Sequence, residues 1–215
     1  MIIEYEIGYP IDKDVDTVIN SANGFLLLGS GGAGRIRDKS DRLSSSEKLA
    51  YQELLDALPK RIKRWYIHVY RKNQWHRTYA QLSCLTILLK KKNNEYKRGT
   101  AVLDTNWSRT SEKKLIHAIA MSYRLTESGS KRKKATSDTI VDALRAALEI
   151  AESIDSKSIS LPLFCSRPSY GVKPEESLSA IIKVLKGFEC SSIQKIIICI
   201  NSKSILNGFR ESRLI

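Results

Sequence analysis

The chain has 215 residues, 42% of them apolar and 27% charged, with a formal net charge of +13. That length holds one α/β domain with a full core, or one domain with a large insertion. No apolar run approaches the ~18 residues of a membrane span. Residues 1–7 read as a strand and lack the basic start of a signal peptide, so a cytoplasmic location is expected. Cys84, Cys165, Cys190 and Cys199 form no C-x-x-C pair, and His68, His76 and His117 complete no metal spacing. Free buried thiols and no metal are expected.

Residues 2–7 and 16–20 are predicted strands, separated by the breaker Gly8-Tyr9-Pro10. Five glycines follow between Gly24 and Gly34. Glycines at this density let the backbone approach a ligand closely, and a helix starting in such a loop turns its free N–H groups toward an anion. The loop lacks the Gly-Lys-Ser/Thr ending of a P-loop, and its glycines do not fall as G-x-G-x-x-G with an acidic partner.

Residues 44–58 are a predicted helix. Ser44 to Glu47 cap it, Leu49, Leu54, Leu55 and Leu58 line one side, and Pro59 ends it. From Lys60 to Arg98 stand twelve lysines and arginines against the single acid Glu95, most of the chain's excess charge. Two β-rich runs, 65–70 and 79–89, predict a hairpin-like basic insertion. Its cations interleave with Trp65, Tyr66, Tyr70, Trp75, Tyr79 and Tyr96. That pattern suits single-stranded nucleic acid, with rings on bases and charges along the backbone. It equally suits an amphipathic hairpin whose rings pack inward and whose lysines are merely solvated.

Residues 100–103 and 114–120 are further strands, and 128–134 a charged loop with Lys131, Arg132, Lys133 and Lys134 in solvent. A helix over 138–153 is capped by Ser137 and carries an apolar stripe of Ile140, Val141, Leu144, Ala147, Leu148 and Ala151. A strand over 158–163, a loop over 165–173 and a helix over 174–186 follow. Pro174 suits its first position and Glu175 and Glu176 its dipole. Residues 195–200 read as a central strand, and 204–211 as a short helix.

Strands alternating with helices predict a mixed α/β sheet with ligands beyond the strands' carboxyl ends. Loops 24–34 and 166–172 stand there, and each leads into a helix. Two such helix starts facing one cleft suit a diphosphate. His117 reads as a core histidine, with a catalytic role as the alternative. Ser166 has no G-x-S-x-G elbow around it and reads as a phosphate-loop hydroxyl.

Four passages carry a family resemblance. Asp-Thr-Val-Ile-Asn-Ser-Ala-Asn at 16–23 and Leu-Leu-Gly-Ser-Gly-Gly-Ala-Gly at 27–34 resemble the strand and first glycine loop of the macro domain, the ADP-ribose-binding module. Leu-Ile-His-Ala-Ile at 115–119 is similar to its Val-Ile-His-Thr-Val strand. Ser-Ile-Ser-Leu-Pro at 158–162, with 166–171, resembles its Ser-Ile-Ala-Phe-Pro strand and second loop. The resemblance covers about 1–58 and 99–215. It implies a single three-layer α/β/α domain over 1–215, with a mixed sheet, helices on both faces and a basic insertion at about 60–98.

The resemblance also implies an ADP-ribose cleft and no cofactor. Asn23 would bond the distal ribose, and Gly29, Ser30, Gly31, Gly32 and Ala33 would line one wall. Ser166, Arg167, Ser169, Tyr170 and Gly171 would wrap the other, with Tyr170 shielding the distal ribose. The family commonly places an Asp just after the first strand to hold adenine. Here Tyr9-Pro10 stand there, with Asp12 or Tyr9 as substitutes. The Asp that helps activate water in the hydrolase branch reads as Ala33, and Arg35 beside it cannot act as a base. Ile200 and Asn201 occupy the place of an aromatic that often stacks on adenine.

Three functions follow from these readings. One is binding of ADP-ribose or an ADP-ribosylated macromolecule. A second is ADP-ribosyl or O-acyl-ADP-ribose hydrolysis, with Asn23 positioning the ribose and a water polarised by the diphosphate attacking. A third is binding of nucleic acid or poly-ADP-ribose through 60–98.

Overall fold

The computed structural model describes residues 1–73, 77–126, 129–166 and 169–215. Seven strands form the sheet: β1 (Ile2–Ile7), β2 (Thr17–Asn23), β3 (Thr100–Asp104), β4 (Lys114–Thr126), β5 (Gly129–Lys133), β6 (Ser158–Pro162) and β7 (Lys195–Ile200). Their order is β1-β7-β6-β2-β4-β3, with β5 paired to the far half of β4. β1, β7, β6, β2 and β4 run parallel; β3 and β5 lie antiparallel to β4.

Both faces of the sheet are covered, which is why its strands read as nearly continuous apolar runs. Successive side chains point to opposite faces. Ile19, Ile196, Ile198 and Ile200 join one core, under α5 (Ser137–Ser153), α6 (Pro174–Lys186) and α7 (Lys203–Glu211). Val18, Ile197 and Cys199 join the other, under α1 (Gly32–Lys39), α2 (Ser45–Ala57), α3 (Lys60–Asn73) and α4 (Tyr79–Leu89). The result is the expected α/β/α sandwich with a mixed sheet. Among the described residues no helix is long and apolar enough to cross a membrane.

The predicted hairpin within 60–98 is corrected: both β-rich runs are helical. Ile62, Trp65, Tyr66 and Val69 fall at helical spacing and turn toward the sheet. α4 is apolar on almost every side and buried along most of its length, so its periodicity carries no signal. Trp65, Tyr66 and Tyr96 are core residues; Gln74, Trp75 and His76 lie outside the described residues.

The charged loop over 128–134 is also corrected. Residues 129–133 form β5, an exposed strand pairing Ser122–Thr126 of an extended β4. Two smaller corrections concern helix faces and caps. Leu49 is 67% exposed, and Tyr51 and Leu55 make the buried side of α2. Thr136, rather than Ser137, caps α5 by accepting from the Thr139 N–H.

Candidate ligand cleft

A cleft opens beyond the carboxyl ends of β1, β2, β6 and β7, where parallel α/β sheets bind ligands. Asn20, Asn23, Gly29, Ser30, Gly31, Gly32 and Ala33 line it on one side, and Cys165, Ser166 and Tyr170 on the other. Tyr9, Ser21, Met121, Tyr123, Cys199 and Asn201 also line it with polar groups or sulfur.

The first wall is held mainly by its own neighbours. Asn23 donates from Nδ2 to the Leu27 carbonyl at 2.9 Å, and its Oδ1 accepts from the Phe25 and Leu27 amides at 3.1 and 3.3 Å. The Asn23 amide, expected on a ribose, thus braces the loop from within. Buried Arg37 donates to the Gly29 carbonyl at 2.8 Å. The Tyr66 hydroxyl of α3 donates to the Phe25 carbonyl.

The glycines divide by role. A Cβ on Gly34 would stand 2.7 Å from the Gly29 carbonyl oxygen, so that glycine is needed for packing. A Cβ on Gly31 or Gly32 would meet nothing within 4 Å. Gly31 has φ +68° and caps α1 with no side-chain bond, which leaves free N–H groups at the helix start beside the cleft.

The second wall is held from outside. The Arg132 guanidinium of β5 lies 4.8 Å over the Tyr170 ring and donates to the Ser169 carbonyl at 3.3 Å. The Ala135 amide donates to the Tyr170 carbonyl at 2.9 Å. Gly171 has φ +149°, and a Cβ there would fall 2.4 Å from the Ala135 oxygen. Gly171 and Ser169 therefore support the wall without appearing in its described lining. Arg167 lies outside the described residues.

Asp12 also stands apart from the described lining. Its carboxylate pairs with Arg35 Nε at 3.1 Å and Lys39 Nζ at 3.3 Å, tying the turn after β1 to α1. Tyr9 does line the cleft. His117 is fully buried beneath it.

No described lining residue carries a carboxylate or an imidazole. Burial pushes the Cys165 thiol up to about 11 and the Cys199 thiol up to about 12. Burial also raises Tyr123 above the usual phenol range, against a hydrogen bond with Arg132. At neutral pH these groups are protonated and the wall offers donors, hydroxyls and rings. Sequence reasoning missed Arg37, Tyr66, Tyr123 and Arg132. Arg132 sat in a charge run with nothing to single it out.

A second groove lies between the start of α3 and the adjoining ends of β4 and β5, lined by Lys60, Arg61, Arg64, Trp65, His68, Thr126 and Gly129. Arg61 donates to the Leu125 carbonyl at 3.3 Å, and Trp65 Nε1 to Ser130 Oγ at 3.1 Å. The Trp65 ring is packed between Phe25 and Tyr123, with centroids at 5.4 and 4.8 Å.

No protein-family model and no curated protein sequence matches the chain. Solved structures do. The Oceanobacillus iheyensis macrodomain with MES bound is similar at TM-score 0.65 and 16% identity, over 99% of this chain and 90% of that one. A point mutant of that macrodomain with ADPR matches at 0.60 and 19%, over 99% and 91%. The macrodomain of Mycobacterium tuberculosis DarG matches at 0.56 and 11%, over 92% and 97%.

Proposed function

We propose that this chain, a macrodomain in fold, binds ADP-ribose or an ADP-ribosylated ligand in the cleft between loops 24–34 and 165–172. The observation that carries this reading is the pair Gly31 and Gly32. They leave open space above the start of α1, opposite Ser166 and Tyr170. A diphosphate seated there meets unpaired backbone N–H groups and the positive end of the helix dipole. Structures of similar fold with ADP or ADPR bound support the ligand class. Tyr9 is the residue suited to the adenine end.

Calorimetric titration with ADP-ribose tests the reading, with ADP and AMP as controls. Micromolar binding that is lost in Gly31→Glu is the expected result. No heat with any of the three would reject it.

A hydrolase reading has to supply a base from the ligand, because Ala33 offers none and the lining thiols are protonated. In it a water polarised by the diphosphate attacks while Asn23 positions the ribose. Release of ADP-ribose from a modified protein or nucleic acid, unaffected by Asn23→Ala, would reject the role given to Asn23.

The basic groove favours a further partner. Lys60, Arg61 and Arg64 face it without an ion-pair partner among the described residues. Polyanion binding there, to nucleic acid or poly-ADP-ribose, runs through charge rather than base stacking, since Trp65 and Tyr66 are buried. Affinity for single-stranded RNA or DNA should fall steeply with salt. Unchanged binding in an Arg61→Glu, Arg64→Glu variant would count against this site.

A further inference from the structure

Behind the cleft, on the α4 side of the sheet, three side chains of metal-ligating type meet in the core. Cys84 comes from α4, Asp104 ends β3, and His117 stands in the middle of β4. None is more than 2% exposed. One ligand atom of each lies within 4.8 Å of the other two. His117 Nε2 is 3.4 Å from Asp104 Oδ2 and 3.7 Å from Cys84 Sγ.

The Nε2–Oδ2 separation is long for a direct charge-assisted bond, while the Nε2–Sγ separation is ordinary for a contact to sulfur. A charge-assisted N–H to carboxylate contact sits at about 2.7–2.9 Å. Both lengths from Nε2 fit edges of a coordination tetrahedron, and the third edge, Cys84 to Asp104, lies within 4.8 Å. With N and O at about 2.0–2.2 Å from zinc and S at about 2.3 Å, those edges are about 3.4 Å for N···O and about 3.6 Å for N···S.

The spare atoms of the ligands are already engaged. Asp104 Oδ1 accepts from Ser83 Oγ at 2.6 Å and from the Asn106 amide at 3.0 Å. The Asn20 side-chain amide lies 3.1 Å from His117 Nδ1. A half-turn of that amide presents its oxygen to an Nδ1–H, the partner a ring ligating through Nε2 requires. Oδ2, Nε2 and Sγ are left facing one centre. Outer partners of this kind are what orient metal ligands.

Charge points the same way. A divalent cation with one thiolate, one carboxylate and one neutral imidazole sums to zero. A fully buried ion is tolerated when its charge is matched in this way.

We propose that Cys84, Asp104 and His117 bind a divalent, borderline-soft metal ion, zinc by the chemistry of the set. The ion staples α4 to the β3–β4 edge. On binding, three coordination bonds form and the Cys84 proton leaves to solvent; no electron is transferred. The inference is independent of what the cleft binds.

The test uses the full chain, expressed with zinc in the medium and purified without a chelating resin. Mass spectrometry should find close to one zinc per chain, falling to about a tenth or less in Cys84→Ser. A second measurement needs no variant to fold. Wild-type chain unfolded in chelator and refolded with cobalt(II) should develop a thiolate-to-cobalt absorption that saturates near one equivalent. Absence of both zinc and the cobalt band in the wild type would overturn the proposal and leave a hydrogen-bonded cluster. One zinc per chain that persists in folded Cys84→Ser would overturn it too, by placing the ion elsewhere.

Discussion

The two walls of the cleft are held in different ways. The first is braced mainly by residues close to it in sequence, since Asn23 holds Leu27 and Arg37 holds Gly29, with Tyr66 of α3 adding one bond from farther along the chain. The second borrows its order from the β4–β5 hairpin, through Arg132 on Tyr170 and Ser169, and from Ala135 against Gly171. A wall braced from within is part of the fold, so damage to it should cost stability and binding together. A wall braced from outside can lose its ligand geometry while the core stays intact.

The largest effect is expected at the first wall. Gly31→Glu places a carboxylate in the space where a diphosphate would sit, at a φ that L-residues adopt reluctantly. ADP-ribose affinity should fall by ~100-fold or more in calorimetry, about 2.7 kcal/mol. An affinity within threefold of wild type would remove Gly31 from the cleft's ligand surface. Next comes Asn23→Ala, which deletes three loop bonds of ~1 kcal/mol each. Affinity should drop ~10-fold or more, and the melting temperature should fall by ~2–4 °C per kcal/mol lost. Lost binding at an unchanged melting temperature would instead mark Asn23 as a direct ligand contact.

Legibility in the sequence follows the same division between local and borrowed order. The strand Ile2–Ile7, the strand Lys195–Ile200 and the helix Pro174–Lys186 fall where expected, because apolar runs and a proline at the first helical position are local signals. The glycine run at 29–34 is legible as a turn that leaves open space, since Gly31 takes φ +68° and a Cβ on Gly31 or Gly32 would meet nothing within 4 Å. The segment 60–98 was not. Trp-Tyr-Ile-His-Val-Tyr at 65–70 has strand composition, yet the Trp65 ring packs on Phe25 and Tyr123 and the Tyr66 hydroxyl reaches the Phe25 carbonyl, partners distant in sequence. Asp12 was placed by its distance from β1, whereas its partners in space are Arg35 and Lys39 of α1. Arg132 gained a role from a hairpin that charge patterning hides.

Arg132 tests the second wall directly. Arg132→Ala removes a cation–π contact of ~0.5–2 kcal/mol and a bond to the Ser169 carbonyl. Affinity should weaken ~3–30-fold, while the melting temperature stays near wild type. Arg132→Lys keeps the charge but loses the planar stack, and should fall between the two. A melting-temperature loss as large as that of Asn23→Ala would break the contrast between the walls.

The smallest effect on the cleft is expected from a site remote from both walls. Glu152, at the end of α5, accepts from the amide and hydroxyl of Ser191 and of Ser192 at 2.5–2.8 Å. These bonds hold its carboxyl down to about 2, below the ordinary value of 4.5. A folded-state value below the unfolded one gives stability that is complete above the ordinary carboxylate range. It is lost as pH falls toward about 2. Glu152→Gln should therefore flatten the acid-side fall of stability between those two values, measured by denaturant unfolding at stepped pH. ADP-ribose affinity at neutral pH should stay unchanged, because the carboxylate anchors the turn before β7 and reaches neither wall. A change in affinity as large as that of Arg132→Ala would mean that order in the second wall is drawn from the whole α5 layer and not from the hairpin alone.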